Sequence, residues 1–148
     1  MRAIAASCAI VLAVLPAVAM ANPNRDPSRG AERQAARVES GRRLFQRCAG
    51  CHAVGPNAAN GFGPQLNGVI GRKVGSVPGY AYSPALRAST LVWDERTLAA
   101  FIRDSDKVIP GNKMRFFSFM SEKQALEIVA FLAASAPPPG VKAGASRP

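Results

Sequence analysis

Apolar residues recur at helical spacing in three separate stretches of the chain. In the first stretch, Val38, Gly41, Leu44 and Phe45 lead directly to Cys48. Residues three and four apart lie on one face of a helix, so these side chains are expected to face a core. The spacing therefore predicts a helix that ends at or just before Cys48.

Two further helices are predicted in the second half of the chain. Asp94 is a suitable N-cap for a helix whose apolar stripe includes Leu98, Phe101 and Ile102. The last helix begins with capping-box spacing at Ser121, and it has a broad apolar face made of Leu126, Ile128, Val129, Phe131 and Leu132. No stretch alternates cleanly between apolar and polar residues, so the predicted fold class is all-α with long loops.

The stretch from Ala53 to Ser89 has no strong periodicity. It is rich in Gly, Pro, Asn and Ser, and the dipeptides Asn60-Gly61 and Pro78-Gly79 are typical of turns. A loop region of this length is unusual in a compact domain unless something else organises it. A large prosthetic group would do so.

The N-terminus has the features of a secretory signal peptide. Met1-Arg2 precedes an apolar run from Ala3 to Val18, and Ala19-Met20-Ala21 offers small residues for cleavage. We therefore predict a signal peptide over residues 1–21, cleaved after about Ala21, and a periplasmic protein. The apolar run is shorter than the ~20 residues of a membrane-spanning helix, although an uncleaved anchor remains the alternative.

The rest of the chain divides into three predicted parts. Residues 22–35 are polar and contain proline, so they are expected to form a flexible leader. Residues 36–132 contain the three helical patterns and form the predicted domain. Residues 133–148 include three consecutive prolines and few residues that could be buried, which predicts a disordered tail.

The chain is strongly basic, with a formal net charge of +10. Cleavage after Ala21 would remove one of the 19 basic residues against 9 acidic ones, leaving about +9. Export and the even spread of these charges argue against nucleic acid as a partner. They favour attraction to acidic surfaces of other proteins, with a generally solvated basic surface as the alternative.

The decisive motif is Cys48-Ala49-Gly50-Cys51-His52, which has the C-x-x-C-H pattern of c-type haem attachment. Two thiols three residues apart can bond both vinyl groups of one haem, and the following imidazole can bind its iron. Zinc would need four ligands, and a thioredoxin-like pair would need a helix starting at Cys48. A disulfide would close so short a loop that it would constrain little of the unfolded chain.

A second axial ligand is expected to be a methionine, because His52 is the only histidine. After signal cleavage the chain keeps Met114 and Met120. Met114 lies in a turn-bearing loop that can present its thioether, whereas Met120 adjoins the last helix and is the better core residue. We therefore predict that His52 and Met114 are the two metal ligands.

Residues 38 to 132 resemble the class I cytochrome c family. Gly41 and Phe45 are similar to the family's N-terminal helix, and Phe131-Leu132 to its C-terminal partner. The other similar segments are Gly63-Pro64-Gln65-Leu66, Gly71-Arg72-Lys73, Pro78-Gly79-Tyr80-Ala81-Tyr82-Ser83 and Pro110-Gly111-Asn112-Lys113-Met114. The resemblance implies the cytochrome c fold, with about four or five helices and long loops around one covalently bound haem c.

The same resemblance implies further haem-binding residues. Pro64 would receive a hydrogen bond from the ligand histidine through its carbonyl oxygen. Arg72, Tyr82 and Trp93 would be hydrogen-bond partners of the buried haem propionate, and Asn112 would lie near that propionate. The chain departs from the family at two positions. Phe101 stands where many members have a tyrosine that bonds the methionine sulfur, and Leu86 replaces a commonly polar residue.

The resemblance implies a monomeric one-electron carrier and not an enzyme. Its partners would be acidic docking surfaces on a cytochrome bc-type complex, a terminal oxidase, a photosynthetic reaction centre or a periplasmic dehydrogenase or reductase. No stable membrane insertion is expected. The docking charges are expected among Arg43, Arg47, Lys73, Lys107, Lys113 and Arg115. The alternatives are a haem protein whose Met114 detaches to admit peroxide or a gas, and a protein without haem.

Overall fold

Helices joined by long loops make up the part of the chain that the structure, a computed structural model, describes: residues 27–116 and 119–135. These residues form five helices, α1 (Pro27–Phe45), α2 (Pro84–Ala88), α3 (Glu95–Arg103), α4 (Ser105–Val108) and α5 (Glu122–Ala134). Strand pairing in these two ranges is limited to one isolated antiparallel bridge between Lys73 and Val92. The predicted all-α class is confirmed.

The first and last helices pack closely where Gly41 of α1 meets α5. A Cβ atom on Gly41 would lie 1.8 Å from the carbonyl oxygen of Glu127 and 2.9 Å from the Cβ of Phe131. One turn further along α1, the Phe45 and Phe131 rings have centroids 5.3 Å apart. Only glycine allows the two backbones to approach this closely, so Gly41 sets the crossing of α1 and α5.

Helix α3 packs against α5 and completes the core. Its capping box is formed by Asp94 and Thr97, and the capping box of α5 by Ser121 and Gln124. Both predicted helix starts are thereby confirmed. The core contains Leu98, Phe101 and Ile102 from α3 and Ile128, Val129 and Leu132 from α5.

Two helices extend beyond the sequence prediction. Helix α1 begins at Pro27, so residues 27–35 are helical where a flexible leader was expected. Helix α5 continues to Ala134, two residues into the predicted tail. Both extensions are rich in strong helix formers, and neither has the apolar periodicity used to predict helices. The predicted signal peptide, residues 22–26 and residues 136–148 lie outside the described residues.

The loop between α1 and α2 is held by side chains that bond the backbone. Asn67 bonds both the N–H and the C=O of Gly55, at 2.8 and 2.7 Å. Asn60 accepts from the N–H of Gln65 at 3.0 Å. The short helix α2 lies inside the region predicted as loop. Across the described residues, no helix has the length and apolarity needed to span a membrane.

Candidate cofactor site

A cavity of about 430 Å³ lies between the helices and the long loop, which is within the ~300–1,000 Å³ of typical cofactor sites. Its lining is mostly apolar. The lining residues from the core are Phe45, Val69, Trp93, Leu98, Phe101, Ile102, Ile128 and Leu132. The two departures noted from the sequence, Phe101 and Leu86, both face this cavity. A large apolar group fits this space.

The Cys48–His52 motif follows the end of α1 as a series of turns. The N–H groups of Cys51 and His52 both donate to the carbonyl oxygen of Cys48, at 3.0 and 2.9 Å. Both cysteines are free thiols that line the cavity. Because Cys48 is half-buried and adjoins Cys51, its pKa is raised to about 11. A helix ends before this motif instead of starting in it, which excludes the thioredoxin-like arrangement.

His52 is held in one orientation and one tautomer. Its Nδ1 lies 2.8 Å from the carbonyl oxygen of Pro64, and a carbonyl only accepts, so Nδ1 carries the proton. Nε2 therefore keeps the lone pair that can bind a metal. A Cβ atom on Gly63 would lie 2.3 Å from the ring, so glycine is needed beside it. Burial lowers the pKa of His52, partly offset by the Pro64 carbonyl, which favours the neutral ligand form.

The two candidate methionines lie in different surroundings. Met114 is half-buried and lines the cavity. Met120 is 5% exposed and belongs to the hydrophobic core. The backbone N–H of Met114 donates to Asn112 Oδ1 at 2.8 Å, and its C=O accepts from Ser105 Oγ at 3.3 Å. Met114 is thus the methionine that is presented to the cavity.

Three of the expected propionate partners also line the cavity: Arg72, Tyr82 and Trp93. Arg72 donates from Nη1 and Nη2 to the carbonyl oxygens of Asn67 and Gln65, at 2.9 and 3.2 Å. Burial lowers the pKa of Arg72 and raises that of Tyr82. These polar groups are therefore partly desolvated at the cavity wall.

Asn112 was expected to lie near a propionate, and this stays a prediction; its side chain is not part of the cavity lining. Its side chain is 2% exposed, and its Nδ2 donates to Asp106 Oδ1 at 2.9 Å and to the Ile109 carbonyl at 3.0 Å. Both Nδ2 hydrogens therefore bond groups in or next to α4, and Oδ1 accepts from the Met114 N–H. The resemblance did not predict these hydrogen bonds, because they depend on the positions of Asp106 and Ile109.

Comparison with known proteins gives the family. The family model described as cytochrome c matches residues 38–136. The chain belongs to the cytochrome c family. Cytochrome c2 of Rhodoblastus acidophilus is 45% identical over 94 residues, covering 64% of this chain and 88% of that protein. Cytochrome c-550 of Bradyrhizobium diazoefficiens is 41% identical over 93 residues, covering 63% of this chain and 68% of that protein.

Solved structures agree with this result. Cytochrome cH from Methylobacterium extorquens superposes with a TM-score of 0.61 at 38% identity, covering 66% of this chain and 97% of that chain. Cytochrome c2 from Rhodospirillum centenum gives 0.63 at 30% identity, covering 68% of this chain and 98% of that chain. The fold is therefore the cytochrome c fold, which confirms the fold predicted from the sequence.

Family membership also gives the cofactor and the general function. This cytochrome binds one covalently attached haem c, and Cys48 and Cys51 fit the attachment motif. It is an electron-transfer protein that carries one electron at a time to other redox proteins, and it is not an enzyme. Within residues 27–116 and 119–135, no three His, Cys, Asp or Glu side chains form a separate metal site.

The expected docking charges divide into two groups in this cytochrome. Arg47, Lys113 and Arg115 line the cavity. Arg115 also lies 4.0 Å from Asp106 Oδ2. Arg43 is paired with Glu39 at 3.1 Å, and neither Arg43, Lys73 nor Lys107 is part of the cavity lining. Phe62 also lines the cavity, although it was not among the predicted site residues. Phe62 is 89% exposed, and its carbonyl accepts from Tyr80 Oη at 2.7 Å. An exposed aromatic residue in a loop has no sequence pattern that would have identified it.

Proposed function

We propose that this cytochrome carries electrons between periplasmic or membrane-bound redox proteins, with its haem bonded to Cys48 and Cys51 and the iron bound by His52 and Met114. The main support for the proposal is the orientation of the His52 ring, whose Nδ1 is hydrogen-bonded to the carbonyl oxygen of Pro64. The His52 ring, both thiols and Met114 line the same cavity. The bound haem supplies a one-electron iron couple.

The chain's own groups suit stable, reversible electron transfer. The Pro64 carbonyl holds His52 as the neutral tautomer and increases its basicity as a ligand. Met114 offers a thioether, which favours the reduced iron and raises the reduction potential. If His52 and Met114 both held the iron of the bound haem, they would leave no room at it for a substrate. These two ligands therefore favour a carrier over a peroxide- or gas-binding protein.

The polar wall of the cavity is proposed to receive the haem propionate. Arg72, Tyr82 and Trp93 all line the cavity. The guanidinium of Arg72 is held in place because its Nη1 and Nη2 donate to the carbonyl oxygens of Asn67 and Gln65. Because that site is partly desolvated, an anionic group there would be strongly stabilised by the nearby arginine.

Docking is proposed to use the basic residues around the cavity. Arg47 is exposed and adjoins the attachment motif, and Lys113 is exposed and precedes Met114. Arg115 follows Met114, and all three residues line the cavity. Their charge would attract acidic surfaces of a cytochrome bc-type complex, a terminal oxidase, a reaction centre or a periplasmic dehydrogenase. Such attraction raises encounter rates and weakens with salt. The protein is proposed to work as a monomer in the periplasm after cleavage near Ala21.

Spectra of the holoprotein test the proposed ligands. Protein made in a host that attaches haem should keep its haem through acid-acetone extraction and give a pyridine haemochrome. The ferric form should show the methionine-to-iron charge-transfer band. Met114→Ala should abolish that band, whereas the core substitution Met120→Leu should keep it. A high-spin ferric wild type, or a band unchanged in Met114→Ala, would contradict the assignment.

A kinetic measurement tests the docking charges. Oxidation of the reduced protein by ferricyanide, an anion, should slow as ionic strength rises. Lys113→Glu should lower this rate several-fold at low salt. Lys123→Glu makes the same charge change on α5, outside the cavity lining, and should have a much smaller effect. Equal effects of the two variants would contradict a docking role for the cavity-side charges.

A further inference from the structure

Side chains hold the backbone of Met114 on both of its polar groups. Asn112 Oδ1 accepts from the Met114 N–H at 2.8 Å, and Ser105 Oγ donates to the Met114 carbonyl at 3.3 Å. Both partners are buried, at 2% exposure for Asn112 and 8% for Ser105. Competition from water for these two hydrogen bonds is therefore small.

The orientation of the Asn112 amide is determined by its other partners. Nδ2 donates to the Ile109 carbonyl at 3.0 Å and to Asp106 Oδ1 at 2.9 Å. A carbonyl and a carboxylate only accept, and the Met114 N–H only donates, so the reverse amide orientation would lose all three bonds. Asp106 belongs to α4 and Ile109 caps it, so the amide links the Met114 loop to that helix.

The loop between α4 and Met114 turns sharply enough to make this link. Gly111 has φ +81°, in the left-handed region that favours glycine. The turn brings the side chain of Asn112 back to the end of α4 while its Oδ1 reaches Met114. The hydrogen bonds are therefore a property of the folded loop and α4 together.

We propose that Asn112, Ser105 and Asp106 form a clamp that positions Met114 for binding to the iron; this rests on the proposed role of Met114 as ligand. The three are positioning residues, because they act through the Met114 backbone. A methionine side chain has three rotatable bonds and an uncharged thioether. Fixing its backbone lowers the entropy that is lost when the sulfur binds.

Competition by imidazole for the ferric iron of the holoprotein measures how firmly Met114 is held. An external ligand must displace the thioether, so a looser loop raises the apparent imidazole affinity. Asn112→Ala should raise it by about tenfold, equivalent to about 1.4 kcal/mol. Ser105→Ala removes a longer hydrogen bond and should raise it less. Asp106→Ala should also raise it, whereas Asp106→Asn keeps an acceptor for Nδ2 and should stay close to wild type.

Asn67→Ala is the matched control. Asn67 makes two comparable hydrogen bonds to Gly55, in the loop that follows the attachment motif and away from α4. Its loss should lower the thermal unfolding midpoint of the holoprotein and leave imidazole affinity unchanged. If Asn67→Ala raised the affinity as much as Asn112→Ala, general destabilisation would explain the effect and the clamp would be overturned.

Two results separate failure of the clamp from failure of the proposed ligand. A wild-type ferric spectrum without the charge-transfer band would overturn the role of Met114 itself. A wild-type spectrum with the band, together with unchanged imidazole affinity in Asn112→Ala and Ser105→Ala, would overturn the clamp alone. If Asn112→Ala does not yield folded holoprotein, Ser105→Ala and the Asp106 pair still decide the question.

Discussion

Replacing Gly41 by alanine tests the close approach of α1 and α5. The added methyl group would lie 1.8 Å from the Glu127 carbonyl oxygen, whereas ordinary contacts begin at 3.4 Å. The obstacle is backbone and not the flexible end of a side chain, so the helices themselves have to move apart by more than about 1 Å. We expect a large loss of stability.

The size of the loss follows from what this crossing holds together. Overpacking in a rigid core costs about 1–3 kcal/mol. Separation of the helices would also weaken the Phe45–Phe131 ring contact, worth about 0.5–1.5 kcal/mol. The hydrogen bond of 2.7 Å from Ser40 to Glu127 spans the same crossing. We therefore expect a loss of about 3 kcal/mol, which corresponds to a fall in Tm of roughly 10–20 °C for a domain of this size.

Gly30→Ala provides the control in the same helix. A Cβ atom at Gly30 would meet nothing within 4 Å, and alanine is the better helix former. Its Tm should equal or slightly exceed that of the wild type. Both variants are compared as holoproteins by circular dichroism and haem absorbance during heating. Equal Tm values for Gly41→Ala and Gly30→Ala would refute the steric argument.

Two further predictions concern the histidine loop and the last helix. Gly63→Ala should displace the His52 ring, lower the stability by about 1–3 kcal/mol and alter the haem spectrum. A Cβ atom at Gly61 would have an ordinary contact of 3.4 Å, so Gly61→Ala should leave the haem spectrum unchanged. Identical spectra of the two variants would contradict this. Ser121→Ala removes the N-cap bond to Gln124 and should cost about 1 kcal/mol in urea unfolding, with Ser121→Thr close to wild type; an unchanged alanine variant would contradict the cap.

The helices that face the core could be predicted because burial leaves a periodic pattern. The sequence predicted where α3 and α5 begin, because the capping residues Asp94 and Ser121 are each followed by an apolar stripe. The first turns of α1 could not be found in this way, because residues 27–37 are exposed and have no apolar face. Their helix depends on backbone propensity alone, which is a weaker indicator than burial.

The candidate site was predictable where its residues are contiguous in sequence. Cys48, Cys51 and His52 form one motif, whereas the role of Met114 stays a prediction that is based on the shortage of other ligands. The direction of the Asn112 side chain was not predictable, because it depends on Asp106 in a helix only 4 residues long. Such a helix has too few residues to show a period.

The two proposed iron ligands are held by different parts of the chain. His52 is positioned by backbone, since its partner is the Pro64 carbonyl and its neighbour is a glycine. Met114 is positioned by the side chains of Asn112 and Ser105. Substitutions can change side-chain partners one at a time, whereas a backbone carbonyl persists through most of them. Sequence changes around α4 are therefore expected to change the strength of the proposed bond from Met114 to the iron, while the histidine side stays unaltered.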